Sequence, residues 1–164
     1  MKMMWKKMKK TVAAGLAAVM VLGLTGCGSS NSDIDIDPVA LADDMKASVT
    51  FQDQLSEVEL DKVLSLYGID SGIVDSGKAY LSTNATAEEI AVIKAKTAED
   101  VDTVKTAVQN RVASQLQSFE SYNANEVPKL ENPVIETAGT CVILCVCDDK
   151  GEAEAVIDSY TAAK

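Results

Sequence analysis

Thr140-Cys141-Val142-Ile143-Leu144-Cys145-Val146-Cys147 is a nearly continuous apolar run. In an extended chain, Val142, Leu144 and Val146 share one face, and Cys141, Ile143, Cys145 and Cys147 share the other. Apolar positions on both faces predict a central strand. Asp148-Asp149-Lys150-Gly151 punctuates it sharply. A last helix from about Glu152 to Ala162 then offers Ala153, Val156, Ile157 and Tyr160 to the sheet.

Working outward, Val134-Ile135-Glu136-Thr137 is a second extended segment, joined to the first by a turn at Ala138-Gly139. Asn123 to Pro133 is a polar connection. Before it lies the clearest helical pattern, from about Glu99 to Tyr122. Its stripe is Val101, Val104, Val108, Val112, Leu116 and Phe119, at spacings of three and four. Thr97 is the expected cap, with Glu99 and Asp100 in a first turn where the helix dipole favours acids. Lys78–Ser82 and Glu89–Lys96 read as strands, and the short Asn84-Ala85-Thr86-Ala87 link predicts an antiparallel hairpin. In the second strand both faces carry apolar residues.

Towards the N-terminus, Ser56-Glu57-Val58-Glu59 has the form of a capping box. It would open a helix burying Val58, Leu60, Val63, Leu64 and Tyr67 and stopping at Gly68. Ile69 to Gly77 is turn-rich, with Ile73 and Val74 as a short extended stretch. Asp37-Pro38 starts another helix, striped by Val39, Ala42, Met45 and Val49. The resulting order is α-α-β-β-α-β-β-α. It predicts an α+β fold, a four-stranded, largely antiparallel sheet packed against helices that lie mostly on one side.

Residues 1–10 carry five lysines and no acid, and Val12 to Leu24 is apolar. Thirteen helical residues rise about 20 Å, short of the roughly 30 Å bilayer core, so a signal peptide is favoured over a membrane-spanning helix. Leu24-Thr25-Gly26-Cys27 resembles the lipobox of bacterial lipoprotein precursors. That likeness implies diacylglyceryl modification of the Cys27 thiol and cleavage after residue 26. Two acyl chains supply the apolar area that one chain lacks for stable anchoring. The expected organisation is a signal peptide over 1–26, a lipidated cysteine and flexible spacer over 27–37, and one compact extracytoplasmic domain over 38–164.

Removing residues 1–26 leaves 10 of the 15 basic side chains against 25 acidic ones, a formal charge of −15. Such a chain is poorly suited to nucleic acid or to anionic headgroups. Histidine is absent altogether, which removes the usual neutral-pH base and the commonest metal ligand.

Cys141, Cys145 and Cys147 lack a Cys-x-x-Cys loop and a fourth ligand, so buried free thiols are preferred to a metal centre. Neighbouring same-face strand positions are also awkward for a disulfide. Asp148 and Asp149 are read as turn and cap residues rather than an acid–base pair, and Glu88 and Glu89 as residues that precede a strand. Arg111 is read as a rim residue whose stem covers the helix stripe rather than as an anion receptor. Tyr67, Tyr80, Tyr122 and Tyr160 share no spacing that would mark a groove. No catalytic residue, cofactor or metal ligand is expected.

Three segments carry a family likeness: Leu66-Tyr67-Gly68-Ile69-Asp70, Ala87-Glu88-Glu89-Ile90-Ala91-Val92-Ile93-Lys94, and Val146-Cys147-Asp148-Asp149. In their order and spacing the chain resembles, over roughly residues 40–162, a small bacterial lipoprotein family known as domain of unknown function DUF4358. The resemblance implies a lipid-anchored protein on the outer face of a Gram-positive plasma membrane, without an assigned activity. It supplies no catalytic or binding residues. The expected role is a membrane-tethered, non-enzymatic domain that binds an envelope protein or a small ligand. The alternative is a small hydrolase or redox protein working through surface carboxylates or the three strand thiols.

Overall fold

The computed structural model describes residues 34–83 and 85–162. The expected signal peptide, Cys27 and the first part of the expected spacer lie outside the described residues. The chain runs α1 (Pro38–Ser48), β1 (Ser56–Val58), α2 (Leu60–Tyr67), β2 (Val74–Leu81), β3 (Glu89–Ala95), α3 (Val101–Tyr122), α4 (Val127–Glu131), β4 (Val134–Ala138), β5 (Cys141–Val146) and α5 (Lys150–Thr161). Single 3₁₀ turns precede β2 and α4. The sheet is antiparallel throughout, in the order β1-β2-β3-β5-β4.

The α+β class and the central position of β5 follow the sequence pattern. Every residue of β5 is buried. The sheet has five strands rather than four, because Ser56-Glu57-Val58 is a strand and not a capping box. It pairs with β2 in the register Ser56↔Leu81, Glu57↔Tyr80, Val58↔Ala79. Three residues are too few for alternation to show, and the backbone pairing partner is remote in sequence. α2 therefore starts at Leu60, without a side-chain cap from Glu59. It stops where expected: Gly68 takes φ +69°, and the Ile69 amide donates to the Leu64 carbonyl at 2.9 Å.

Helices cover both faces, not mainly one. Val63, Leu64 and Tyr67 of α2 and the valine stripe of α3 pack on Ala79, Ala91, Ile93, Val142 and Leu144. On the other face, Leu41, Ala42 and Met45 of α1 and Ala153 and Ile157 of α5 pack on Ile90, Val92, Ile143 and Cys145. The cause lies in β3 and β5: strands apolar on both sides leave one face wet unless two helical layers close over them. Leu41 takes the core place expected of Val39, which is exposed.

Asp37 caps α1, accepting from the Val39 and Ala40 amides. The last part of the expected spacer rests on the sheet, with Ile36 buried and Asp35 paired to Lys94 at 2.6 Å. Thr97 does not cap α3. Its hydroxyl donates to the Asp100 carboxylate, and α3 begins one residue later. The connection after α3 contains α4, in which Pro128 sits at the start and needs no amide partner.

Gly77 lies in β2, where a Cβ would sit 2.9 Å from the Val92 carbonyl oxygen and 3.3 Å from Ile93 Cα. Both neighbours are backbone of the paired strand and cannot swing aside. Gly77→Ala should therefore lower stability by about 1–2 kcal/mol, the strain outweighing the entropy gained from a stiffer unfolded chain. Urea unfolding followed by circular dichroism measures this, and an unchanged midpoint would refute the close approach.

Candidate ligand-binding cleft

The β2–β3 hairpin carries Glu88 and Glu89 side by side, and alternation sends them to different surroundings. Neither merely precedes a strand; both are almost fully buried charges. Burial of a carboxylate requires pairing and hydrogen bonds, and each has its own set.

Glu89 faces α3. Its Oε1 accepts from the Tyr67 hydroxyl and, at 3.3 Å, from Arg111 Nε; its Oε2 accepts from Arg111 Nη2 at 2.9 Å. Arg111 is thus a carboxylate partner and not a rim stem. The guanidinium fork fits both oxygens at once, a pairing that is read in space and not along the chain. Burial pushes the Tyr67 hydroxyl well above an ordinary phenol, with the Glu89 charge adding to the effect. The tyrosine stays neutral and donates.

Glu88 turns the other way and ties three segments together. Its oxygens accept from the Gln52 amide at 2.9 Å, the Asp53 amide at 2.8 Å and Lys129 Nζ at 3.1 Å. Lys129, buried in the middle of α4, also lies 3.1 Å from Glu126 and 3.5 Å from Asp148. Burial acts to lower the Lys129 ammonium; hydrogen bonds to Glu88 and Glu126 outweigh it and raise it. Glu126 accepts from the Ala87 amide as well. Asp149 caps α5 through the Gly151 amide, as expected, whereas Asp148 belongs to the Lys129 cluster.

Between the hairpin end and the second half of α3 lies a cleft of about 380 Å³. Arg111, Glu89 and Glu88 form part of its wall, with Ser82, Thr83 and Thr86 on the hairpin side. Gln115, Ser118, Phe119 and Tyr122 line it from α3. These α3 residues recur at helical spacings and face the same way. A broader hollow of about 620 Å³ adjoins it across Leu81, Ser82 and Thr83 and reaches Leu66 on α2. Tyr122 and Leu66 are large exposed apolar side chains, 68% and 48% accessible.

Of the four tyrosines only Tyr122 lines this cleft. Tyr67 is buried on Glu89, Tyr80 bonds Asp43 on the opposite face, and Tyr160 bonds Asp44. Cys141, Cys145 and Cys147 are free and buried on the α1/α5 face, and none of them lines the cleft. Burial pushes the Cys141 thiol up to about 11. Cys145, hydrogen-bonded to Cys147 and enclosed, is held well above an ordinary thiol. Cys147 donates to the Asp149 carbonyl at 3.3 Å. Among the described residues no three metal-ligating side chains converge on a common point, and no helix is long and apolar enough to cross a membrane.

The fold and cleft define a small α/β/α antiparallel sandwich with a polar hollow beside a buried arginine–carboxylate pair. Residues 47–147 match the family described as domain of unknown function (DUF4358), and the chain belongs to that family. No curated protein and no solved structure matches it.

Proposed function

We propose that this protein is a lipid-anchored extracytoplasmic domain that binds a small ligand in the Arg111–Glu89 cleft without transforming it. The cleft carries the reading. Its volume falls within the range of small-molecule sites, and it combines a few oriented polar groups with two aromatic rings. The non-enzymatic part is supported by how its ionisable groups are spent. Both oxygens of Glu89 are occupied, Glu88 is locked on Lys129 and two amides, and the thiols are buried on the opposite face. The anchor reading rests on Leu24-Thr25-Gly26-Cys27 and the basic, apolar segment before it.

The test is a thermal-shift screen of the full chain in detergent against sugars, amino acids, nucleotides, organic acids and polyamines. At least one class should raise the Tm by several degrees, and Ser118→Trp, which fills the cleft from an exposed position on α3, should abolish the shift. Failure of every class to stabilise the protein overturns the binding role. For the anchor, mass spectrometry of envelope protein from the native host should give an N-terminal peptide starting at a diacylated Cys27. Recovery of an unmodified Met1 peptide overturns it.

A further inference from the structure

The cleft's hydrogen-bonding inventory is lopsided. The Ser82 hydroxyl donates to the Thr86 carbonyl at 2.8 Å, Thr83 donates to Asp53, Thr86 donates to Glu88 at 3.4 Å, and Ser118 donates to the Ser114 carbonyl at 3.0 Å. Each hydroxyl has one proton and two lone pairs. All four have given their proton to the protein, so what they offer inward is oxygen lone pairs.

Three groups still donate, the exposed Tyr122 hydroxyl at the rim being one. Arg111 uses Nε and one Nη2 hydrogen on Glu89, and Nη1 has no partner among the described residues. No buried side-chain nitrogen or oxygen lacks a partner there, so Nη1 is open to solvent, on a residue that lines the cleft. The half-buried Gln115 amide, one turn along α3, is also uncommitted and offers both a donor and an acceptor.

Charge is balanced at the same time. Arg111 is neutralised by Glu89 at 2.9 Å. Glu88 receives two amides, Lys129 and Thr86, which fill the roughly four acceptor positions of a carboxylate. An anion would bring only acceptors to a wall of acceptors, and among the described residues that line the cleft the one cation, Arg111, is already paired. An ammonium would meet Arg111 and find Glu88 already filled. A hydroxyl both donates and accepts, and so matches every position.

Tyr122 adds a flat surface at the rim. It stands edge-on to Phe119, with centroids 5.8 Å apart and planes at 74°, which fixes its orientation. The electron-rich face of such a ring attracts the slightly positive C–H edges of a saturated ring.

We infer that the cleft takes a neutral, hydroxyl-rich ring compound, a pyranose saccharide, held by Arg111 Nη1, Gln115 and the hydroxyl oxygens with one face on Tyr122. This rests on the cleft being a binding site, and the experiment separates the two. The full chain in detergent is titrated by calorimetry with glucose, galactose, mannose, N-acetylglucosamine and their β-1,4-linked disaccharides, and in parallel with citrate and spermidine. At least one neutral sugar should bind, and Gln115→Ala and Tyr122→Ala, both at solvent-accessible positions, should each weaken it by about tenfold or more. Their unfolding midpoints should match the parent, which separates lost contact from lost fold. Binding of citrate or spermidine alone overturns the saccharide inference and leaves the cleft's binding role standing. No binding of any sugar overturns the inference as well, and only a blank in the wider thermal-shift screen removes the binding role with it. Sugar affinity indifferent to both substitutions also overturns it, since the ligand then sits elsewhere.

Discussion

Replacing Lys129 with methionine is expected to lower the unfolding free energy by about 3–5 kcal/mol. The ammonium stands between Glu88 and Glu126, 3.1 Å from each, and both carboxylates are buried. Methionine keeps most of the apolar stem and removes the charge. Two buried carboxylates then face each other without a counter-charge, and Asp148, half-exposed at 3.5 Å, loses a partner too. The loss is large because Glu88 also carries the backbone of Gln52 and Asp53, so the segment between α1 and β1 loosens with it. Urea unfolding measures the difference, with Glu131→Gln on the exposed end of α4 as a control that should stay within about 0.5 kcal/mol. A loss below about 1 kcal/mol for Lys129→Met would mean the cluster is dispensable.

Glu89→Gln should lower stability by about 2–3 kcal/mol and change what the cleft attracts. The amide oxygen can still accept from Tyr67, but its NH₂ end confronts the Arg111 guanidinium, which becomes an unpaired cation beside the cleft. Inorganic sulfate should then raise the variant's Tm markedly more than the parent's, with the gain shrinking as sodium chloride is added. Equal sulfate response in both proteins would show that Glu89 is not what neutralises Arg111. The parent's neutrality, on which the saccharide inference depends, would fall with it.

The long pattern elements were legible along the chain because their signals are local and repeated. The α3 stripe, the Gly68 stop, the Asp37-Pro38 start and the two-faced apolar run of β5 each contain their own explanation. Where the signal was three residues long, as in Ser56-Glu57-Val58, a local motif outweighed a pairing that only β2 could reveal. Helical cover on both faces was implicit in β3 and β5 but needed the full count of strands to become necessary.

Family membership, the absence of histidine, the acidic balance and the lipobox-like segment are therefore properties of the linear chain, readable without coordinates. The cleft is not. Glu89 and Arg111 stand 22 positions apart, Glu88 and Lys129 stand 41 apart, and Thr83 and Tyr122 come from a hairpin and a helix end. Buried charge is decided by which partner lies across the fold, a relation that neither residue's neighbours in sequence encode.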